Sequence, residues 1–268
     1  MPFSRVNGIN IYYEIHGEGE SVIFGNGVFQ NTSGWVHQLP IFSKEYQVIL
    51  YDMRGQGQSD KPEDPYSFDL HAEDQKALLE TLGISKVHHV GISYGAELGL
   101  VFALKYPDTL ESLVVCSAVS FVGPLLEKMV QLWRYACALE DPEMFYYATL
   151  PLNFSETFLR EQTAVLEQAK ARYVELDFPP LVRLIDAFLM LNITDQLSLI
   201  KTPTCVIAGE KDILKPAYPY SRLIHDSVPN SEMIIIRDSG HAIMFDKPEE
   251  FNSVVLGFLH KQSQKHTL

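Results

Sequence analysis

Five residues, Gly91-Ile92-Ser93-Tyr94-Gly95, constrain this chain more than any others. They lie between an apolar run, Val87 to Ile92, and an apolar helix-like segment, Ala96 to Tyr106. A serine between a strand and a helix, with glycine two residues to either side, reads as a tight turn under backbone strain. The glycines leave the room such a turn needs. The following helix aims its free N–H groups and the positive end of its dipole back at the serine. The pattern marks Ser93 as a candidate covalent nucleophile rather than a mere turn residue.

The surroundings of that turn read as alternating strands and helices. Phe3 to Val6 and Ile9 to Ile15 flank Asn7-Gly8, a strong hairpin signal. Ser21 to Phe24 reads as a short strand ending in Gly25-Asn26-Gly27-Val28. A helix is expected over Gly34 to Ser43, and Tyr46 to Tyr51 reads as a strand buried on both faces. A Gly-punctuated loop, Asp52 to Asp60, follows. Phe68 to Leu82 has helical spacing and stops at Gly83. Further strands fall at Val87 to Ile92, Ser112 to Cys116, Thr204 to Ala208 and Met233 to Ile236. Helices are expected near Ala217 to Asp226 and over Pro248 to His260, with a frayed tail from Gln262 to Leu268.

This alternation implies an α/β fold: a mostly parallel sheet with helices on both faces. The stretch 121–196 breaks it. It has no clear strand, is rich in aromatics and is interrupted by Pro142, Pro151, Pro179 and Pro180. It reads as an inserted helical cap, with residues 1–120 and 197–268 forming the core. A chain of 268 residues with 46% hydrophobic content suits one such domain.

Charge and cysteine content narrow the partners. The 21 Lys+Arg against 34 Asp+Glu give a net charge of −13, which argues against nucleic acid and anionic membranes. Cys116, Cys137 and Cys205 are sparse, and Cys116 and Cys205 fall in apolar runs, where a buried reduced thiol is the default. No leader pattern and no membrane-length apolar stretch is evident, so a cytoplasmic location is expected, and the three glycosylation-type triplets at Asn31, Asn153 and Asn192 read as chance.

A serine hydroxyl is a poor nucleophile. It needs a base, and the base needs an orienting acid. Asp212 lies just beyond the strand at Thr204 to Ala208, where sites of open α/β sheets collect. His241 follows the strand at Met233 to Ile236, after Gly240. Glu210 is a competing carboxylate two residues from Asp212. Asp52 and Arg54 read as parts of a hydrogen-bonded loop with Gly55 and Gly57 at tight positions. His88-His89 face opposite sides of a strand and cannot share a metal. Glu97, early in the helix after Ser93, reads as a salt-bridged helix residue.

Four signals, GISYG, DMRGQGQSD, AGEKD and SGHAIMFDKPEEF, occur in order across nearly the whole chain. With them the chain resembles the α/β-hydrolase fold family, in its serine-nucleophile branch, whose chain order is Ser, then Asp or Glu, then His. Serine at the elbow sets it apart from branches with a carboxylate nucleophile. The resemblance implies Ser93 as nucleophile, His241 as general base and acid, and Asp212 as orienting carboxylate. It implies an oxyanion hole from the N–H groups of Val28 and Tyr94. Two positions depart from the family pattern: Asn26-Gly27 stands where His-Gly is usual, and Asp246 where Glu is more frequent. Asn26 can still hold its loop by side-chain hydrogen bonds. Aromatic cap residues Phe121, Trp133 and Tyr146 are candidates for the substrate pocket.

The function expected from this resemblance is cleavage of a small or medium carboxylic ester or lactone through an acyl-enzyme, with no metal or organic cofactor. The same scaffold also carries carbon–carbon bond hydrolases, perhydrolases, acyltransferases and triad-retaining signalling receptors. Nothing in the sequence indicates an oligomeric state.

Overall fold

A computed structural model describes residues 3–263, the side chain of Arg172 aside. β1 (Phe3–Val6) and β2 (Ile9–His16) form the expected hairpin. Asn7 and Gly8 both take positive φ, 45° and 82°, which matches the twist of the strands they join. β2 then pairs antiparallel with β4 (Gln47–Tyr51). The remaining pairings between sheet strands are parallel and join β3 (Ser21–Gly25), β4, β5 (Val87–Ile92), β6 (Leu110–Cys116), β7 (Thr204–Gly209) and β8 (Glu232–Ile236). The order is β1-β2-β4-β3-β5-β6-β7-β8. Every residue of β5 and β7 is buried, as expected of strands covered on both faces.

The helices are α1 (Leu39–Phe42), α2 (Phe68–Thr81) and α3 (Tyr94–Lys105); then, between β6 and β7, α4 (Pro124–Ala138), α5 (Pro142–Asn153), α6 (Glu156–Glu161), α7 (Thr163–Tyr173) and α8 (Phe178–Leu189); and finally α9 (Arg222–Ser227), α10 (Ile243–Asp246) and α11 (Pro248–Ser263). The period-2 alternation of the strands sorts the core into two layers. Ile23, Ile49, Leu113 and Val115 pack with Leu78, Leu98 and Phe102 of α2 and α3. Val22, Phe24, Val48 and Leu50 meet Trp35, Phe42 and the α11 residues Phe251 and Val255 on the opposite face. Ser67 caps α2 by accepting from the Leu70 N–H at 3.1 Å, and Gly83 beyond its end has φ 72°.

Two expected helices are shorter than their sequence suggests. The run from Gly34 to Ser43 is a 3-10 turn at Thr32–Trp35 followed by the short α1. Pro40 has no N–H for the carbonyl one turn earlier, and the missing hydrogen bond favours a break in the helix there. Likewise Ala217 to Ser221 is irregular, with Tyr218 at φ −114°, ψ 123° before Pro219, and α9 begins only at Arg222. At the other end α11 continues through Ser263 with Gln262 buried; the rest of the expected frayed tail lies outside the described residues.

Beneath Ser93 the sheet carries a buried polar chain. The Tyr51 hydroxyl donates to Gln75 Oε1 at 2.9 Å, Gln75 Nε2 donates to His89 Nδ1 at 3.2 Å, and His89 Nε2 donates to the Gly95 carbonyl at 2.9 Å. His88 turns to the other face and meets Ser112 Oγ at 2.8 Å. The two histidines therefore anchor different layers. Burial depresses His89 to about 4 and His71, on α2, to about 3, from an ordinary 6.5. Both stay neutral when folded but accept protons below pH 6.5 when unfolded. Stability is thus full above pH 6.5 and falls as pH drops toward the folded values, by about 1.4 kcal/mol per pH unit for each ring. Urea unfolding between pH 7 and 5 should show this decline. His89→Gln should reduce the loss over this interval by about 2 kcal/mol; an unchanged loss would contradict it.

Candidate active site

The chain passes from β3 out to β4 and then back across to β5 on the other side of β3. Such a reversal opens a crevice at the carboxyl ends of the two strands. Ser93 sits at the end of β5 with φ 52° and ψ −122°, a conformation that costs a non-glycine residue roughly 1–3 kcal/mol. Its neighbours hold it there. The Ser93 N–H donates to the Cys116 carbonyl at 2.8 Å, and its own carbonyl accepts from Ala96 and Glu97. A side chain at Gly91 would overlap the Gly95 carbonyl, and one at Gly95 would overlap the Gly25 backbone. The turn can approach β3 only because these positions lack Cβ.

The loop after β3 faces Ser93 across the crevice. Asn26 is wholly buried and fixes it: its Nδ2 donates to the Tyr51 carbonyl at 2.8 Å and its Oδ1 accepts from Trp35 Nε1 at 2.8 Å. Gln56 reinforces the loop by donating to the Gly27 and Val28 carbonyls at 2.8 and 3.2 Å. Gln56 belongs to the Gly-punctuated segment, whose Asp52 accepts the N–H groups of Thr32 and Gln58 at 2.8 Å each. Arg54 of the same segment forms a buried two-point pair with Asp74, at 2.7 and 2.9 Å.

Asp212 and His241 come from the ends of β7 and β8. The His241 Nδ1 lies 2.8 Å from Asp212 Oδ2. A carboxylate can only accept, so Nδ1 carries the proton, and in the neutral ring Nε2 is the acceptor nitrogen. The other Asp212 oxygen accepts the N–H groups of Leu214 and Lys215 at 3.0 and 2.8 Å, which turns the chain sharply after the strand. Glu210, the competing carboxylate, is exposed and accepts instead from the Asp238 N–H at 3.0 Å. Ser117 donates to the His241 carbonyl at 2.9 Å, and Asp246 accepts from the backbone of Gly240 and Ser155. Asp246 thereby ties the histidine loop to the junction of α5 and α6, as does the Ala242 N–H donating to the Asn153 carbonyl at 2.8 Å.

Two cavities meet at Ser93. One, of about 160 Å³, is bordered by Gly27, Phe29, Phe154, His241 and Phe245. The other is almost wholly apolar and holds about 20 Å³, bordered by Val130, Ile185, Phe188, Leu214 and Lys215. Val28, Ser93 and Trp133 border both. Among the described residues no group of three or more His, Cys, Asp or Glu side chains is arranged to hold a metal ion. No helix among them is long and apolar enough to cross a membrane.

The sequence pattern of the alpha/beta hydrolase fold matches residues 20–248. The chain belongs to the alpha/beta hydrolase fold family. An Azorhizobium caulinodans protein bearing the name "Putative carbamate hydrolase RutD" is 28% identical over 96% of this chain and 98% of its own length. An alpha/beta hydrolase enzyme from a Medee basin deep-sea metagenome library superposes with a TM-score of 0.92 at 32% identity, covering 96% of this chain and 97% of its own. The structure of an N-acyl homoserine lactone degrading enzyme gives 0.84 at 30% identity, covering 96% and 100%. With these relatives the chain is a hydrolase of that fold.

Of the aromatic residues singled out for this hydrolase's pocket, only Trp133 borders the cavities at Ser93. It faces inward while its Nε1 donates to the Ala148 carbonyl at 2.9 Å. Phe121 packs instead on Tyr220, ring centres 5.6 Å apart. Tyr146 stacks edge-on with Tyr173 at 5.1 Å and donates to the Leu166 carbonyl at 3.2 Å. Aromatic content does not show which helix face turns toward the cleft; the faces that do carry Val130 with Trp133 on α4 and Ile185 with Phe188 on α8, each pair three residues apart.

One group at the site has no precursor in the sequence reading. The Lys215 ammonium, 3% exposed, donates to Ser93 Oγ at 3.1 Å and to both Glu97 oxygens at 2.8 and 3.1 Å. It also lies 4.5 Å from the centre of the Phe188 ring. Glu97 is fully buried and accepts the Val119 N–H at 2.9 Å. Burial pushes its carboxyl above the ordinary range, and the ammonium opposes that shift. The salt-bridged role of Glu97 agrees with the sequence reading; its partner lies 118 residues away. Removing one member of such a pair strands a buried charge and costs about 3–5 kcal/mol. Lys215→Met and Glu97→Gln alone should each lower unfolding stability by about that much, and the double variant should recover most of it. Additive losses in denaturant unfolding would contradict this coupling.

Proposed function

We propose that this hydrolase cleaves small carboxylic esters or lactones through a covalent acyl-enzyme on Ser93. The Ser93 hydroxyl attacks the carbonyl carbon as His241 Nε2 takes its proton. Asp212 holds the imidazole in the required tautomer and stabilises the imidazolium. The N–H groups of Tyr94 and Val28 receive the developing oxyanion; Tyr94 opens α3, where an N–H has no acceptor within the helix. His241 then returns the proton to the departing alkoxide, and later activates water to release the acid. The observation that carries this reading is the His241–Asp212 contact at 2.8 Å beside a strained serine in one shared cleft.

The two cavities support a placement for each end of the substrate. His241 must reach the leaving oxygen, so the leaving group belongs in the 160 Å³ cleft that His241 borders. The acyl substituent then enters the 20 Å³ cavity on the Lys215 side. That small volume favours a short acyl chain. We take the five helices of 121–196 as a cap: Val130, Trp133, Ile185 and Phe188 from α4 and α8 close the acyl side. A second reading keeps the machinery and replaces the ester by a carbamate, in line with the name of the Azorhizobium relative.

Ser93→Ala should lower kcat for p-nitrophenyl acetate by roughly 10⁶-fold, and Asp212→Asn by about 10⁴-fold. Retention of full activity by Ser93→Ala would contradict the proposal. In the wild type, kcat/KM should fall at least about tenfold from the acetate to the octanoate ester, because a long chain must displace the packed wall of the small cavity; a flat profile would contradict the assignment of the ends.

A further inference from the structure

We propose that Lys215 determines specificity by donating a hydrogen bond to a neutral oxygen on the acyl group, so that this enzyme prefers short oxygenated acyl groups to alkyl ones of the same size. The inference rests on the reading of Ser93 as the acylated residue. It starts from the geometry of one ammonium. Two of its directions go to the Glu97 carboxylate, at 2.8 and 3.1 Å, and the remaining one to Ser93 Oγ at 3.1 Å. Its other surroundings are apolar: Leu214, Ile185 and the Phe188 ring.

Acylation disturbs this arrangement. The Oγ–carbon bond forms as the bond from that carbon to the leaving oxygen breaks, and the Oγ proton passes through His241 to the leaving group. Oγ becomes an ester oxygen whose lone pair is drawn into the carbonyl, a weaker acceptor. One buried N–H of Lys215 is then left short of a partner, which is costly in an apolar cavity. The cavity holds about 20 Å³, so an alkyl substituent fills it and leaves no place for a water. An ether, hydroxyl or keto oxygen two or three atoms from the carbonyl carbon restores the bond. A carboxylate there suits the site less, because Glu97 already neutralises the ammonium at 2.8 Å and would repel a second anion. Sites built around a buried polar group reject analogues that lack its partner more strongly than apolar pockets reject a changed methylene.

The test compares p-nitrophenyl methoxyacetate with p-nitrophenyl butyrate, whose acyl groups have the same number of heavy atoms. Each kcat/KM is divided by the hydroxide-catalysed rate of the same ester, which removes intrinsic reactivity. The wild type should then prefer methoxyacetate by about tenfold or more, the size expected of one hydrogen bond from a charged donor. The double variant Lys215→Met/Glu97→Gln, which removes both charges together, should lose that preference while its circular dichroism spectrum stays native. A wild-type ratio at or below one overturns the inference whatever the variant does. So does an equal ratio in the wild type and a folded double variant. A p-nitrophenol burst in the wild type reports acylation separately: its absence with both esters, together with no turnover, would sink the acyl-enzyme reading and this inference with it, whereas a burst with no oxygen preference sinks only the inference.

Discussion

Everything at this site depends on backbone meeting backbone without side chains between. β3, β5 and the start of α3 come together at Gly25, Gly91 and Gly95, where added Cβ atoms would overlap main-chain atoms. That contact forces Ser93 into φ 52° and pushes its side chain out of the sheet into the crevice. The strain is local, but its support is spread across the core. His89, Gln75 and Tyr51 brace the Gly95 carbonyl from below, and the Cys116 carbonyl takes the Ser93 N–H from the side. Strained residues persist only where surroundings over-determine them, and this one is held from several directions.

A second constraint is electrostatic. The Lys215–Glu97 pair places two formal charges where almost no water reaches. Such a pair is no strong source of stability, since desolvation offsets most of the attraction. Its presence beside Ser93 makes more sense as positioning: a fixed donor against the Ser93 hydroxyl, held in place by the Glu97 carboxylate. Asp212 joins the two halves of this arrangement. One of its oxygens receives His241 and the other the Lys215 amide, so a single carboxylate sets both the imidazole and the turn that delivers the ammonium.

Much of the fold was legible because it is local. Asn7-Gly8, the buried strands and the glycine-flanked Ser93 each specify their own conformation, and alternation of strand and helix then leaves few topologies. The two helices that came out shorter failed for local reasons as well, at Pro40 and Pro219, which propensity over a window underweights. The meeting of Asp212 and His241 could be anticipated because each lies in the loop that follows a strand, within a recognisable motif. Lys215 could not. Nothing about an isolated lysine in Leu214-Lys215-Pro216 says that its ammonium folds back on a serine 122 residues earlier. Phe121 and Tyr146 missed the cavities for a related reason: composition marks an aromatic segment, while helix rotation and packing decide which rings face the site.

Whether Ser93 is activated by His241 is tested by covalent labelling with a fluorophosphonate, read by intact mass and peptide mapping. One equivalent of adduct on Ser93 is expected, formed rapidly in the wild type and slowed by orders of magnitude in His241→Ala. A protein that remains unlabelled at Ser93, or that labels equally well without His241, would contradict it.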